Sequence, residues 1–124
     1  RVLFRSGHGL AMIEGVCSAL GLDARAVHGS TVSLAQFRRQ ASAAVAARGG
    51  FVVIDYDRFA TGQGAGGHVA ALAAYDRRTD RFLVVDPANS VHRPVWLSAR
   101  DLWTGCRAID PQTGVSRGFV SLVT

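Results

Sequence analysis

The chain has 124 residues, 48% of them hydrophobic, with a mean hydropathy of +0.17, which suits one packed core and leaves no room for a second. No run approaches the ~18 apolar residues of a membrane span, and the charged opening Arg-Val-Leu-Phe-Arg-Ser is no signal peptide. The formal net charge of +5 rests on 14 basic residues, all arginine, scattered rather than striped among aromatics, so nucleic acid is not the expected partner.

Arginine without lysine, with abundant Ala, Gly and Val, reads as the codon bias of a GC-rich, bacterial genome. Two cysteines, Cys17 and Cys106, make neither a disulfide framework nor a zinc pair, which favours a reducing, cytoplasmic setting. Residues 1–6 resemble a translated sequencing adapter. The natural sequence is therefore expected to start near Gly7, with one domain over 7–124.

In chain order, Leu10, Ile13, Cys17 and Leu20 recur at helical spacing with Gly21 behind them, predicting an amphipathic helix over 9–20. Cys17 lies on its apolar stripe and reads as a small buried hydrophobe. Ala24 to His28 suits a short strand. Ser33-Leu-Ala-Gln36 has the form of a capping box, opening a second helix over about 34–47 with Phe37, Ala41, Ala44 and Val45 inward. Gly49-Gly50 ends it. Phe51 to Tyr56 is a β-branched strand run, and Thr61 to Gly67 a glycine-rich loop. That loop lacks the lysine of a phosphate loop, so its glycines suit close approach of the backbone to a substrate.

His68–Tyr75 and Arg81–Asp86 flank a polar turn and predict a β-hairpin. Ser98 caps a short helix running to about Cys106, with Asp101 at the third position. Arg117 to Val123 closes the chain as a strand. Helices followed by a mostly antiparallel sheet make the fold α+β.

The hairpin carries the chemical signal. If Asp76 faces Asp80 across the turn, Ala70 faces Asp86, and His68 becomes the diagonal same-face neighbour of Asp86. A slip of one residue would part them. A carboxylate that accepts the imidazole Nδ1–H leaves Nε2 to take a proton from a nucleophile; with a thiol the pair forms thiolate and imidazolium. His8, His28 and His92 have no metal-ligand spacing with one another or with a cysteine.

Gly66-Gly-His-Val-Ala-Ala-Leu-Ala-Ala-Tyr-Asp76 followed by Asp80-Arg-Phe-Leu-Val-Val-Asp86 resembles the core of phytochelatin synthases. Arg93-Pro-Val-Trp-Leu97, Asp101-Leu-Trp103 and Thr113-Gly-Val-Ser-Arg-Gly-Phe119 continue the resemblance in order, and Ser30–Phe37 and Tyr56–Gly67 extend it upstream. The resemblance implies a papain-like cysteine-proteinase fold, this chain holding its C-terminal portion. It implies thiol acyl transfer that releases glycine from glutathione and passes the γ-glutamylcysteinyl unit on to build γ-glutamylcysteinyl peptides.

On that pattern His68 and Asp86 are the catalytic base and orienter, with Gly67 and Asn89 at the substrate. It implies no tightly bound cofactor and no dedicated metal site. Heavy-metal ions such as Cd and Zn act as activators or enter as metal–glutathione thiolates, and the intact protein is open to homodimerisation.

Two departures qualify the resemblance. The family's nucleophilic cysteine precedes the region resembled here, so these 124 residues alone are expected to be inactive. Asn89 stands where the family carries an arginine, which tilts the expected activity toward hydrolysis. Asp86-Pro87 and Trp103-Thr-Gly105 also resemble the papain-like leader peptidases of bacteriocin export systems, and a non-catalytic papain-like binding module is the third reading.

Overall fold

The computed structural model describes residues 9–86 and 93–123. The first helix, α1, spans Gly9–Ala19 and buries Leu10, Ile13 and Cys17, three positions of one stripe. Gly21 takes φ +83°, and the Leu22 N–H returns to the Cys17 carbonyl at 3.1 Å, so the helix ends where glycine tolerates the left-handed turn.

Strand β1, Asp23–His28, and a 3-10 turn, Gly29–Thr31, lead into α2, Leu34–Ala46. The predicted capping box is present. The Gln36 N–H donates to Ser33 Oγ at 3.1 Å, and the Ser33 N–H donates to Gln36 Oε1 at 2.8 Å. Phe37 and Ala41 are fully buried, while Ala44 and Val45 flank the core. The edges of α2 fell where the sequence placed them because the cap and Gly49 are local signals.

Strand β2, Phe51–Asp57, a 3-10 turn, Arg58–Thr61, and strands β3, Gly67–Asp76, and β4, Arg81–Val85, follow. Strand β5, Val95–Ser98, runs directly into α3, Ala99–Arg107, whose cap Ser98 accepts from the Asp101 N–H at 3.1 Å. Strand β6, Gly118–Val123, closes the chain. All neighbours in the sheet are antiparallel, in the order β1-β6-β2-β3-β4-β5. The α+β expectation holds. Among the described residues no helix is long and apolar enough to cross a membrane.

The sheet is covered on both faces. One face buries Val52, Ile54, Tyr56, Ala70, Leu72, Phe82 and Val84 under α2 and α3; the other places Val120 and Leu122 against α1. Phe37 is the keystone of the first core, meeting Phe119 edge-on at 5.4 Å between ring centroids. The helix α3 approaches the sheet closely at Gly105, where a Cβ would lie 2.9 Å from the Asp57 carbonyl oxygen. That contact seats α3 over the end of β2, where the site begins.

The hairpin register differs from the expected one near the turn. Asp76 pairs with Arg81, Tyr75 with Phe82 and Ala74 with Leu83, one residue off the symmetric arrangement. A bulge between Leu72 and Ala74 then absorbs the difference, so Leu72 faces Val84 and Ala71 faces Val85. Beyond the bulge the ladder runs in the expected register. The reason for the offset is Asp80, which sits at φ +55° and turns its carboxylate toward Arg38 and Tyr75 instead of facing Asp76.

Candidate active site

Strands β2, β3 and β4 end together on the α2–α3 face, and each delivers one polar side chain there. Tyr56 is cross-strand from His68, with ring centroids 6.0 Å apart and planes at 82°. Asp86 follows β4 by one residue and shares the face of Phe82 and Val84. The result is a contact of 3.1 Å between His68 Nε2 and Asp86 Oδ2, with the two side chains 24% and 13% exposed. That partial access distinguishes them from core residues: the imidazole is screened from bulk water yet open to a ligand.

The ring is turned opposite to the sequence expectation, which gave Nδ1 to the carboxylate. Nε2 meets Asp86 because the two residues are diagonal neighbours, and the far nitrogen of the ring spans the longer diagonal.

A cleft of about 230 Å³ opens at this pair, lined by Tyr56, Arg58, Gln63, His68, Val84, Asp86, Arg93 and Val95. Its walls are anchored. The Tyr56 hydroxyl donates to Gln63 Oε1 at 2.7 Å, and Thr61 Oγ1 donates to the same oxygen at 2.6 Å. Burial holds the Tyr56 phenol above its ordinary value, against the opposing influence of its bond to Gln63. Arg58 Nη2 donates to the Ala65 carbonyl at 3.1 Å, and the Arg58 N–H to the Gly66 carbonyl at 3.0 Å. These bonds fold the glycine-rich loop back onto the end of β2 as a built wall of the cleft.

Gly67 packs tightly on the side away from the imidazole. A Cβ there would run into the Arg117 guanidinium, which lies on the opposite face of the sheet from His68. Arg117 pairs through Nη1 with Asp55 Oδ1 at 3.2 Å, both side chains almost buried. Burial raises the Asp55 carboxyl above its ordinary value, and the Arg117 charge only partly offsets it. Gly67 thus admits the buried ion pair immediately behind the imidazole. Asn89 lies outside the described residues.

Neither cysteine is placed as a nucleophile. Cys17 is buried beneath α1, and burial raises its thiol. Cys106 is wholly buried, donates to the Gly118 carbonyl at 3.6 Å, and is pushed well above the ordinary thiol range by burial, with the Asp55 charge adding to the shift. A reactive thiolate needs an accessible, electropositive setting, and both lack it. His28 is occupied by the Ser116 carbonyl, 2.7 Å from Nδ1. Among the described residues no three His, Cys, Asp or Glu side chains converge as metal ligands.

Sequence reading did not single out Gln63, Arg58 or Arg93 as cleft residues, nor the Asp55–Arg117 pair. The one available signal was Gln63, the sole long polar side chain among the glycines of the loop. The arginines gave none, since 14 of them are spread through the chain.

Comparison with known proteins places the chain in a family. The phytochelatin synthase family model matches residues 1–119. The chain is similar to glutathione gamma-glutamylcysteinyltransferase 1 of Lotus japonicus, 30% identical over 114 residues, 90% of this chain and 23% of the relative. It is similar to the protein of that name from Arabidopsis thaliana, 27% identical over 104 residues, covering 84% of this chain and 21% of the relative. The namesake in Triticum aestivum is 24% identical over 114 residues, 90% of this chain and 23% of the relative. The chain thus spans under a quarter of the length of these curated relatives. They are plant proteins and lend the bacterial reading of the arginine bias no support. With the family model matched over nearly its whole length, the chain belongs to the phytochelatin synthase family.

Proposed function

We propose that this chain carries the base and the orienting carboxylate of a papain-like thiol acyl-transfer site acting on glutathione. The observation that carries the reading is the 3.1 Å His68–Asp86 contact at the mouth of a cleft, in a chain of this family. On this reading the nucleophilic thiolate is neither of the two cysteines here, both of which are buried with thiols raised by that burial.

The chemistry follows from the ring orientation. Asp86 holds Nε2–H and stabilises the imidazolium, so Nδ1 takes the thiol proton. The thiolate attacks the cysteinyl carbonyl of glutathione, and the C–N bond to glycine breaks as Nδ1–H protonates the departing amine. The thioester then passes its γ-glutamylcysteinyl unit to water or to the α-amine of a second glutathione, Nδ1 removing the proton. On this reading heavy-metal ions enter as glutathione thiolates, as substrate.

Glycine release from glutathione by the full-length protein tests the reading. His68→Ala is expected to lower it by at least a thousandfold, as loss of a triad base does elsewhere. Wild-type rates in that variant would overturn the assignment.

A further inference from the structure

The same face of the sheet continues one strand past the His68–Asp86 pair. Strands β4 and β5 pair Val84 with Val95 and Phe82 with Leu97. Extending that register by two residues sets Arg93 across from Asp86, on the face where Val84 and Val95 line the cleft. Tyr56, His68, Asp86 and Arg93 thus form one row across four strand ends. Arg93 is exposed and lines the cleft, and it makes no ion pair with any described carboxylate, Asp86 included. An arginine beside a carboxylate that is directed at an imidazole instead is held for another anion.

The wall opposite strengthens the point. Arg58 also lines the cleft, and its Nε is buried without a hydrogen-bond partner. A buried guanidinium nitrogen left unsatisfied is costly, so Arg58 gains from any anion that reaches it. Two guanidinium groups against the single carboxylate of Asp86 give the cleft a positive balance even with His68 neutral. Valine side chains between them offer an apolar floor for the methylenes of a short peptide.

We propose that Arg93 is the carboxylate-binding residue of this cleft and selects peptides by a free carboxylate on the β4–β5 side. The proposal rests on the glutathione reading above for the identity of the peptide, but its test does not need turnover. Glutathione and its glycine-carboxamide analogue are titrated calorimetrically into the full-length protein carrying His68→Ala, which binds without reacting. With Arg93 present, the carboxylate form is expected to bind at least about tenfold more tightly, the span of one charge-assisted hydrogen bond pair. Arg93→Ala is expected to bring the two ligands within about twofold, and Arg93→Lys to restore part of the preference, since lysine keeps the charge and loses the fork.

A preference that survives Arg93→Ala, or none when Arg93 is present, overturns the proposal. An Arg93 that acts only on Asp86 would shift the acid limb of the pH–rate profile and leave the ligand preference intact, and that result also overturns it. Failure of the glycine-release assay with the binding preference intact would sink the glutathione chemistry and leave Arg93 standing.

Discussion

The two ends of the β3–β4 hairpin each hold an aspartate, and the structure uses them in opposite ways. At the turn, Asp80 is closed in: Arg38 donates Nε and Nη2 to its two oxygens at 2.8 and 2.7 Å, and the Tyr75 hydroxyl donates at 2.6 Å. At the open end, Asp86 meets His68 at 3.1 Å on the rim of a cleft. The first carboxylate staples α2 to the hairpin and has its accepting capacity filled by protein. The second orients one imidazole beside a space for ligand. The first is bonded to α2 and to its own hairpin; the second meets an imidazole beside a cleft, which is the arrangement the proposed chemistry uses.

Crossed substitutions sharpen that contrast. Asp86→Asn is expected to cut glycine release by about a hundred- to ten-thousandfold, because an amide cannot hold the imidazolium or fix the same tautomer. Its thermal midpoint should stay within a few degrees of the parent, and a large drop would make Asp86 structural after all.

Gly67→Ala probes what lies behind the imidazole. The added Cβ displaces Arg117 from Asp55, and disturbing this nearly buried pair is expected to cost about 2 kcal/mol in denaturant unfolding. An unchanged midpoint would show that Arg117 can move aside freely.

Asp80→Asn is the counterpart at the turn. Asparagine tolerates the φ of +55° there, so the change removes the charge and one accepting oxygen without straining the turn. The pair is about one-third exposed, so its loss should cost only about 1 kcal/mol, with glycine release unaffected. The sign with pH is defined. The Arg38 hydrogen bonds hold the Asp80 carboxyl below its ordinary 3.8, so the folded state binds this proton less tightly than the unfolded chain. Its stabilisation is present above that value and is lost as pH falls through the depressed folded value. Acid titration of stability should therefore be shallower in Asp80→Asn than in the parent.

Deleting Ala73 is the mildest test. The residue lies in the bulge, so its removal should regularise the ladder and keep His68 diagonal to Asp86, at a cost of about 1 kcal/mol. Loss of activity in a folded deletion variant would mean that the bulge also sets the diagonal geometry.

Most elements could be read directly along the chain because their signals are local. The Ser33–Gln36 box, the positive φ of Gly21 and the alternation of Val52, Ile54 and Tyr56 each depend on residues within a turn or a pleat of one another. Strand β5 was not legible as a strand. Four residues beside a proline carry little pattern, and pairing with β4 is what extends them.

The site divides along the same line. The sequence alone determined that His68 and Asp86 belong to one hairpin; that they share a face followed only from assuming a symmetric turn. The tertiary structure decided the rest. A turn aspartate drawn to Arg38 on α2 moved the register at one end, and a bulge returned it before the other. Diagonal reach chose Nε2 for Asp86, and strand neighbours distant in sequence brought Tyr56 and Arg93 to the same cleft. Those side chains come from separate strands and from α2, so no single turn or pleat of the chain brings them together.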